Sequence, residues 1–155
     1  MITAVDTNIL LDVLIPDPLH GEKSGRSLAE ANRVGAILIS EFVYAELSVH
    51  FPERAELDHF LSGTGLRLVA ASNEALYAAG SAWRQYLQRR PAAMTCPQCG
   101  AAQTVHCEEC QAPIQPRQHV IADFLIGAHA MVQADRLLTR DRGYYSTYFP
   151  GLKLT

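Results

Sequence analysis

The segment ITAVDTNILLDVL, residues 2–14, decides how the rest of the chain is interpreted. It begins with a short apolar run that is typical of a buried β-strand, and Asp6 follows that run directly. The carboxyl ends of parallel strands form the edge at which α/β proteins bind their ligands. The segment therefore predicts a strand and marks the sheet edge where functional side chains are expected.

Short apolar strands alternate with helical segments along the rest of the chain. The other predicted strands are AILI (36–39), LRLVA (66–70) and RLLT (136–139), and helices are predicted over 20–34, 41–51, 52–62, 73–90 and 119–133. This alternation indicates an α/β fold, with a mainly parallel sheet and helices on both of its faces. Ser40 and Ser72 are placed to cap the helices that follow them.

The composition is that of a single globular domain spanning residues 1–155. Hydrophobic residues make up 48% of the chain and charged residues 19%, which argues against a disordered or fibrous protein. No basic leader precedes the first apolar run, so no signal peptide is predicted, and the later apolar stretch at 120–132 is too short to span a bilayer. A cytoplasmic protein is the expectation.

Four carboxylates stand where folding alone would not place them. Asp6 and Asp141 directly follow the first and last strands. Glu46 falls on the apolar stripe of its helix, and Asp123 lies in a helix that is apolar nearly all round. A buried lone carboxylate costs several kcal/mol unless it is paired, protonated or bound to a cation. A shared divalent cation would offset both repulsion and desolvation, and oxygen ligands point to magnesium or manganese.

Each of these acids also has a structural explanation. Either aspartate at a strand end fits a helix cap or a turn, Glu46 fits the edge of its stripe, and Asp123 fits a cap of its helix. The conjunction of all four favours the metal site. The acids that lack this placement are interpreted as solvated or capping residues: Asp12, Asp17, Glu41 and Asp135.

The segment TCPQCGAAQTVHCEEC, residues 95–110, holds every cysteine of the chain. They form two CxxC pairs with the spacing of a zinc ribbon: Cys96, Cys99, Cys107 and Cys110. We predict that residues 94–113 are an inserted element organised by Zn²⁺. Four thiolates fill a tetrahedral shell and leave no position for a reacting water, so the predicted role is structural.

The inserted element has two possible roles, contact with a nucleic acid or contact with protein. Between Cys96 and Cys110 it carries Glu108 and Glu109 but no lysine, arginine or aromatic residue. An element that follows phosphates or stacks on bases needs those residues. The composition therefore favours a scaffold or a protein contact.

Four segments resemble the acidic motifs of PIN-domain ribonucleases, and most of all those of VapC-type toxins of toxin–antitoxin pairs. They are VDTNILLDVL (5–14), SEFVYAEL (40–47), IADFLIGAHA (121–130) and LLTRDRGYY (137–145). They cover nearly the whole chain apart from the cysteine insert, which the core PIN pattern lacks. The resemblance implies a metal-dependent endoribonuclease, a cognate antitoxin that blocks its site, and a homodimer.

The resemblance also implies roles for individual residues. A catalytic Mg²⁺ or Mn²⁺ would be held by the four acids, with hydrogen-bonding support from two polar residues: Asp6, Glu46, Asp123 and Asp141, with Asn8 and Thr139. Arg140 and Arg142 flank the last acid and are predicted to contact backbone phosphates, with a solvated turn as the alternative. His119 and His129 near the acidic helix are candidates for substrate contact, with packing or solvation as the alternative.

Two other functions share features with this sequence. Haloacid-dehalogenase-like phosphatases also begin with a strand and an aspartate, but they need a second aspartate where this chain has Asn8. The remaining alternative is a non-catalytic PIN-like binding or regulatory module that uses the zinc element for protein contact. The complete set of four acids favours the enzyme.

Overall fold

The computed structural model describes residues 1–15, 17–89, 93–96, 98–114 and 121–155. The strands are β1 (Ile2–Val5), β2 (Ala36–Ile39), β3 (Leu66–Leu68), β4 (Met94–Thr95), β5 (Ala102–Gln103), β6 (Val105–His106), β7 (Pro113–Ile114) and β8 (Arg136–Leu138). The helices are α1 (Thr7–Leu14), α2 (Gly21–Val34), α3 (Glu41–Ser48), α4 (Arg54–Thr64), α5 (Asn73–Arg89), α6 (Ile121–Gln133) and α7 (Arg142–Tyr148).

A four-stranded parallel sheet forms the centre of the fold, with the strand order β3-β2-β1-β8. In this register Ala4 of β1 lies opposite Leu38 of β2 and Leu137 of β8. Helices flank the sheet: α2 and α3 contact β2, and α6 contacts β1 and β8. The predicted α/β class is confirmed, and the ends of β1 and β8 lie side by side.

The core is built from the strands and the helix faces that cover them. Val5, Ile39 and Leu137 are buried in the sheet. Helices α5 and α6 pack together, and their contact includes the rings of Trp83 and Phe124, whose centroids are 5.1 Å apart. None of the described helices is both long enough and apolar enough to cross a membrane.

Two helices were not predicted from the sequence. Helix α1 occupies the residues after Asp6, and α7 occupies the residues after Asp141, so each of these aspartates sits at a helix start. Both helices are short, with 8 and 7 residues, so each offers few turns from which a helical period can be recognised. The predicted caps are confirmed: Ser40 accepts a hydrogen bond from a backbone N–H of α3, and Ser72 accepts one from α5.

The cysteine segment lies between α5 and α6 and is separate from the central sheet. Its strands form two small antiparallel sheets, β4 with β5 and β6 with β7. The insertion therefore extends from the end of the helix pair α5–α6, where Tyr86 and Phe124 pack with ring centroids 5.5 Å apart. Asp123, the neighbour of Phe124, lies at the same end.

Candidate active site

Asp6 is the most buried of the four predicted acids, with 6% of its surface exposed. It ends β1 and precedes the first residue of α1. The side-chain amide of Asn8 donates to Oδ2 of Asp6 at 2.7 Å, and the hydroxyl of Thr139 donates to the same oxygen at 2.6 Å. Both supporting residues that were predicted therefore contact the aspartate directly.

The electrostatic setting of Asp6 disfavours its charge. The pKa of Asp6 is raised from 3.8 to about 6, mainly by burial, and the negative charges of Glu46 and Asp123 contribute to the rise. The hydrogen bond from Thr139 lowers the pKa and offsets part of this effect. Among the described residues, no lysine or arginine forms an ion pair with Asp6.

Thr139 connects the two ends of the chain within the site. Its hydroxyl oxygen accepts from the amide of Asn8 at 3.2 Å and from the backbone N–H of Asp141 at 3.0 Å. The carboxylate of Asp141 is exposed and accepts from the backbone N–H of Tyr144 at 3.2 Å, as an N-cap of α7 does. Asp141 thus has the capping contact that its position allows, and it lies next to the hydroxyl that holds Asp6.

Glu46 and Asp123 reach the same edge from two helices. Glu46 is half-buried on α3, and the hydroxyl of Thr7 donates to its carboxylate. Asp123 is half-buried in the first turn of α6. Since both charges act on Asp6, the three carboxylates share one electrostatic environment. The role of Thr7 was missed, although it stands within the same DTN motif as Asp6 and Asn8.

Two tyrosines lie beside the acids and were also missed. Tyr144 and Tyr145 are buried, and burial together with nearby negative charge raises the pKa of each well above its usual range. Among the charges, Asp123 has the largest effect on Tyr144, and Asp6 has the largest effect on Tyr145. Both phenols therefore stay neutral. Their positions three and four residues after Asp141 would have identified them, had α7 been predicted.

The interpretation of Asp12 as a solvated or capping residue is wrong. Asp12 is 4% exposed, and its carboxylate accepts from the hydroxyl of Ser24 at 2.6 Å. Its other oxygen pairs with the guanidinium of Arg140 at 3.1 Å. Asp12 lies on the buried side of α1, which the sequence interpretation had not recognised as a helix. Arg140 therefore neutralises an internal acid, while its backbone N–H donates to Asn8 at 3.2 Å.

A pocket of about 290 Å³ adjoins the acidic edge. Thr139 belongs to both, and four basic side chains line the pocket: His20, Lys23, Arg140 and Arg142. The predicted phosphate-contacting arginines are thus brought together with two basic residues of the α2 region that were not singled out from the sequence.

The two histidine candidates have different outcomes. His129 is 1% exposed, and burial lowers its pKa, while a hydrogen bond with the backbone of Val69 raises it. This is the packed alternative, and His129 does not face the pocket. His119 lies outside the described residues.

In neither predicted metal site are the described candidate ligands close enough together to bind an ion. Within the described ranges, no three His, Cys, Asp or Glu side chains are grouped closely enough to hold a metal ion as they stand. The carboxylates influence one another through charge, and the cysteines lie as free thiols between the strands of the two small sheets. The magnesium or manganese site and the zinc site therefore stay predictions.

Known structures share the fold of this chain at low sequence identity. The crystal structure of VapBC2 from Rickettsia felis, bound to a DNA fragment from their promoter, matches with a TM-score of 0.62 and 20% identity over 100% of this chain and 98% of that one. FitAcB from Neisseria gonorrhoeae matches with a TM-score of 0.60 and 15% identity over 99% and 96% of the two chains. VapBC-1 from nontypeable Haemophilus influenzae matches with a TM-score of 0.59 and 17% identity over 100% and 97%.

These similarities establish the fold. No protein-family model and no curated protein sequence matches the chain. At identities of 20% and below, a structural match speaks for architecture and not for chemistry. The chain has a PIN-like fold, with a parallel sheet flanked by helices.

The buried charge of Asp6 predicts a pH-dependent effect of Asp6→Asn on stability. Because the pKa in the folded state is raised from 3.8 to about 6, ionisation costs the folded protein free energy that accumulates between these values. The variant should match the wild type below this range and exceed its free energy of unfolding by about 3 kcal/mol above it. Urea unfolding at a series of pH values in EDTA measures the difference.

The control for this experiment is Asp58→Asn, which alters an exposed acid on α4. It should give no such pH-dependent gain. A stability difference between Asp6→Asn and wild type that is constant across the range would contradict the assignment of a raised pKa.

Proposed function

We propose that this chain is a magnesium- or manganese-dependent endoribonuclease that hydrolyses RNA phosphodiester bonds, and that it is the toxin of a toxin–antitoxin pair. The observation that carries the proposal is Asp6, a buried acid that faces two further acids and has no ion pair among the described residues. The PIN-like fold and the four matching sequence segments support the same function.

The donor set fits a hard divalent cation. All candidate ligands are carboxylate oxygens, which are the ligands that magnesium and manganese prefer: Asp6, Glu46, Asp123 and Asp141. A cation would offset the repulsion and the desolvation that raise the pKa of Asp6. When bound, such an ion activates a water molecule for attack and neutralises the phosphate.

The residues around the acids position them and hold the substrate. Asn8 and Thr139 fix one oxygen of Asp6, so that the carboxylate keeps its direction when the substrate arrives. Thr7 does the same for Glu46. The basic pocket next to Thr139 would bind the phosphates that flank the scissile bond, with Arg142 and Lys23 as its contacts.

The catalytic proposal predicts that purified chain cuts RNA only with a divalent cation. Asp6→Asn and Glu46→Gln should lower the cleavage rate by roughly a hundredfold or more, because each removes a carboxylate from the metal site. Rates are measured on total RNA with added magnesium or manganese and with EDTA. Matched controls on α4, Asp58→Asn and Glu56→Gln, should keep the wild-type rate.

Equal cleavage by wild type and Asp6→Asn, or cleavage that persists in EDTA, would overturn the catalytic proposal. A folded protein that binds RNA or protein but never cuts would instead identify the non-catalytic binding module.

The two arginines of the pocket should behave differently when removed. Arg142→Ala should raise KM about threefold or more with little change in kcat, because it removes a phosphate contact that does not depend on the transition state. Arg140→Ala should in addition lower the free energy of unfolding by about 1–3 kcal/mol, because the buried Asp12 loses its counter-ion. Arg33→Ala, an exposed change on α2, is the control for both measurements.

Steady-state kinetics and urea unfolding separate the two effects. Loss of kcat at constant KM in Arg142→Ala would contradict the phosphate role, and unchanged stability of Arg140→Ala would contradict the structural one.

A cognate antitoxin and a homodimer belong to the same proposal, as does a location in the cytoplasm. The antitoxin is supported by the likeness of the fold to the VapBC2, VapBC-1 and FitAcB structures, and the homodimer by the resemblance of the four sequence segments to VapC-type toxins. A small protein encoded beside this one should copurify with the tagged chain and suppress its cleavage of RNA. Light scattering on the isolated chain should give the mass of two copies. A monomeric mass, or a neighbouring protein that does not bind, would remove the corresponding part of the proposal.

A further inference from the structure

The first CxxC segment folds into a tight turn around Cys96. The backbone N–H of Cys96 donates to the carbonyl of Ala101, and the N–H of Gly100 donates back to the carbonyl of Cys96, both at 2.9 Å. Gly100 has a φ of 73°, a left-handed conformation that glycine adopts without strain. Cys96 and Cys99 therefore lie on the same small loop.

The second CxxC segment repeats this turn. The N–H of Cys107 donates to the carbonyl of Ala112, and the N–H of Gln111 donates to the carbonyl of Cys107, again at 2.9 Å. Gln111 has a φ of 57°, which only a small share of non-glycine residues adopt. The two turns thus have the same hydrogen bonds at the same offsets, and the second keeps the left-handed residue without a glycine to favour it.

Backbone amides surround the leading sulfur of each turn. The N–H groups of Cys99 and Gln98 donate to the sulfur of Cys96, and those of Cys110 and Glu109 donate to the sulfur of Cys107. Hydrogen bonds of this kind favour the thiolate, which is the form of cysteine that binds metals.

The segment has almost no hydrophobic burial of its own. Every described residue from 98 to 114 is exposed except Cys107, which is half-buried. Its two sheets have two strands each, and an isolated two-stranded sheet is marginally stable in water. A small element without a core needs another source of stability, such as disulfides or a metal ion.

We propose that the two turns together bind one Zn²⁺ through the thiolates of Cys96, Cys99, Cys107 and Cys110, as a structural site. Each turn supplies two ligands, and a tetrahedral ion requires both. As they stand, the turns are two separate pairs, so ion binding would draw them together. The site is independent of the carboxylate edge, since zinc favours sulfur and magnesium favours oxygen.

Metal analysis of the full chain, purified under reducing conditions from zinc-supplemented cells, tests the proposal. We expect about one zinc ion per chain, because four thiolates complete one tetrahedral shell. The double variant Cys107→Ser/Cys110→Ser should retain less than about a tenth of that zinc, since two ligands cannot hold a structural ion. His106→Ala is the control within the same element and should retain the full amount.

Replacement of zinc by Co²⁺ tests the ligands without relying on any variant. Tetrahedral thiolate coordination gives intense visible bands and a sulfur-to-cobalt charge-transfer band. These bands should appear when Co²⁺ is added to the chain from which zinc has been removed, and they should disappear when zinc is added back. Asp6→Asn should give the same spectrum as wild type. Neither measurement involves RNA, so a failed nuclease assay leaves the zinc result standing.

Three outcomes would overturn the proposal. The first is a zinc content far below one ion per chain, and the second is a zinc content that the cysteine changes do not alter. The third is an intact mass, measured without reductant, that is lighter by the hydrogens lost when each CxxC pair forms a disulfide.

Discussion

A carboxylate buried at the end of β1 is the constraint to which the rest of the site responds. Asp6 is buried against the core, so water does not stabilise its charge. The neighbouring acids disfavour that charge further by repulsion. Its hydrogen bonds from Asn8 and Thr139 soften that cost without removing it. The folded chain therefore holds unfavourable negative charge at one edge of its sheet, and this charge attracts cations to that edge.

Periodicity and strand position predicted much of this arrangement. Asp6 and Asp141 were recognised because they follow apolar strands, and Glu46 was recognised because it lies on an apolar stripe. The error began with one helix that was not predicted, and it led to a wrong interpretation of a residue on that helix. Helix α1 has only 8 residues, and because it was not predicted, Asp12 was interpreted as a solvated or capping residue. Its ion pair with Arg140 joins residues far apart in the chain, and no spacing rule indicates such a contact.

The cysteine element shows the opposite relation between sequence and packing. Its described residues are almost all exposed, so no hydrophobic pattern indicates its structure, and its two CxxC pairs lie in two turns that share the same hydrogen bonds. The sheet and the cysteine segment are thus stabilised in different ways. Burial organises the sheet and also makes the charge of Asp6 unfavourable. The cysteine segment has backbone turns and sulfur atoms but no hydrophobic core of its own.

The hydrogen bond from Thr139 to Asp6 spans 133 positions of the chain, because β8 pairs with β1. A ribosome releases β1 well before β8. Until β8 emerges, Asp6 lacks both this hydroxyl and the strand edge beside it, and Asp141, which follows β8, is not in place either. A nascent or prematurely ended polypeptide therefore carries scattered acids and no finished edge, so the order of translation itself delays the assembly of the site.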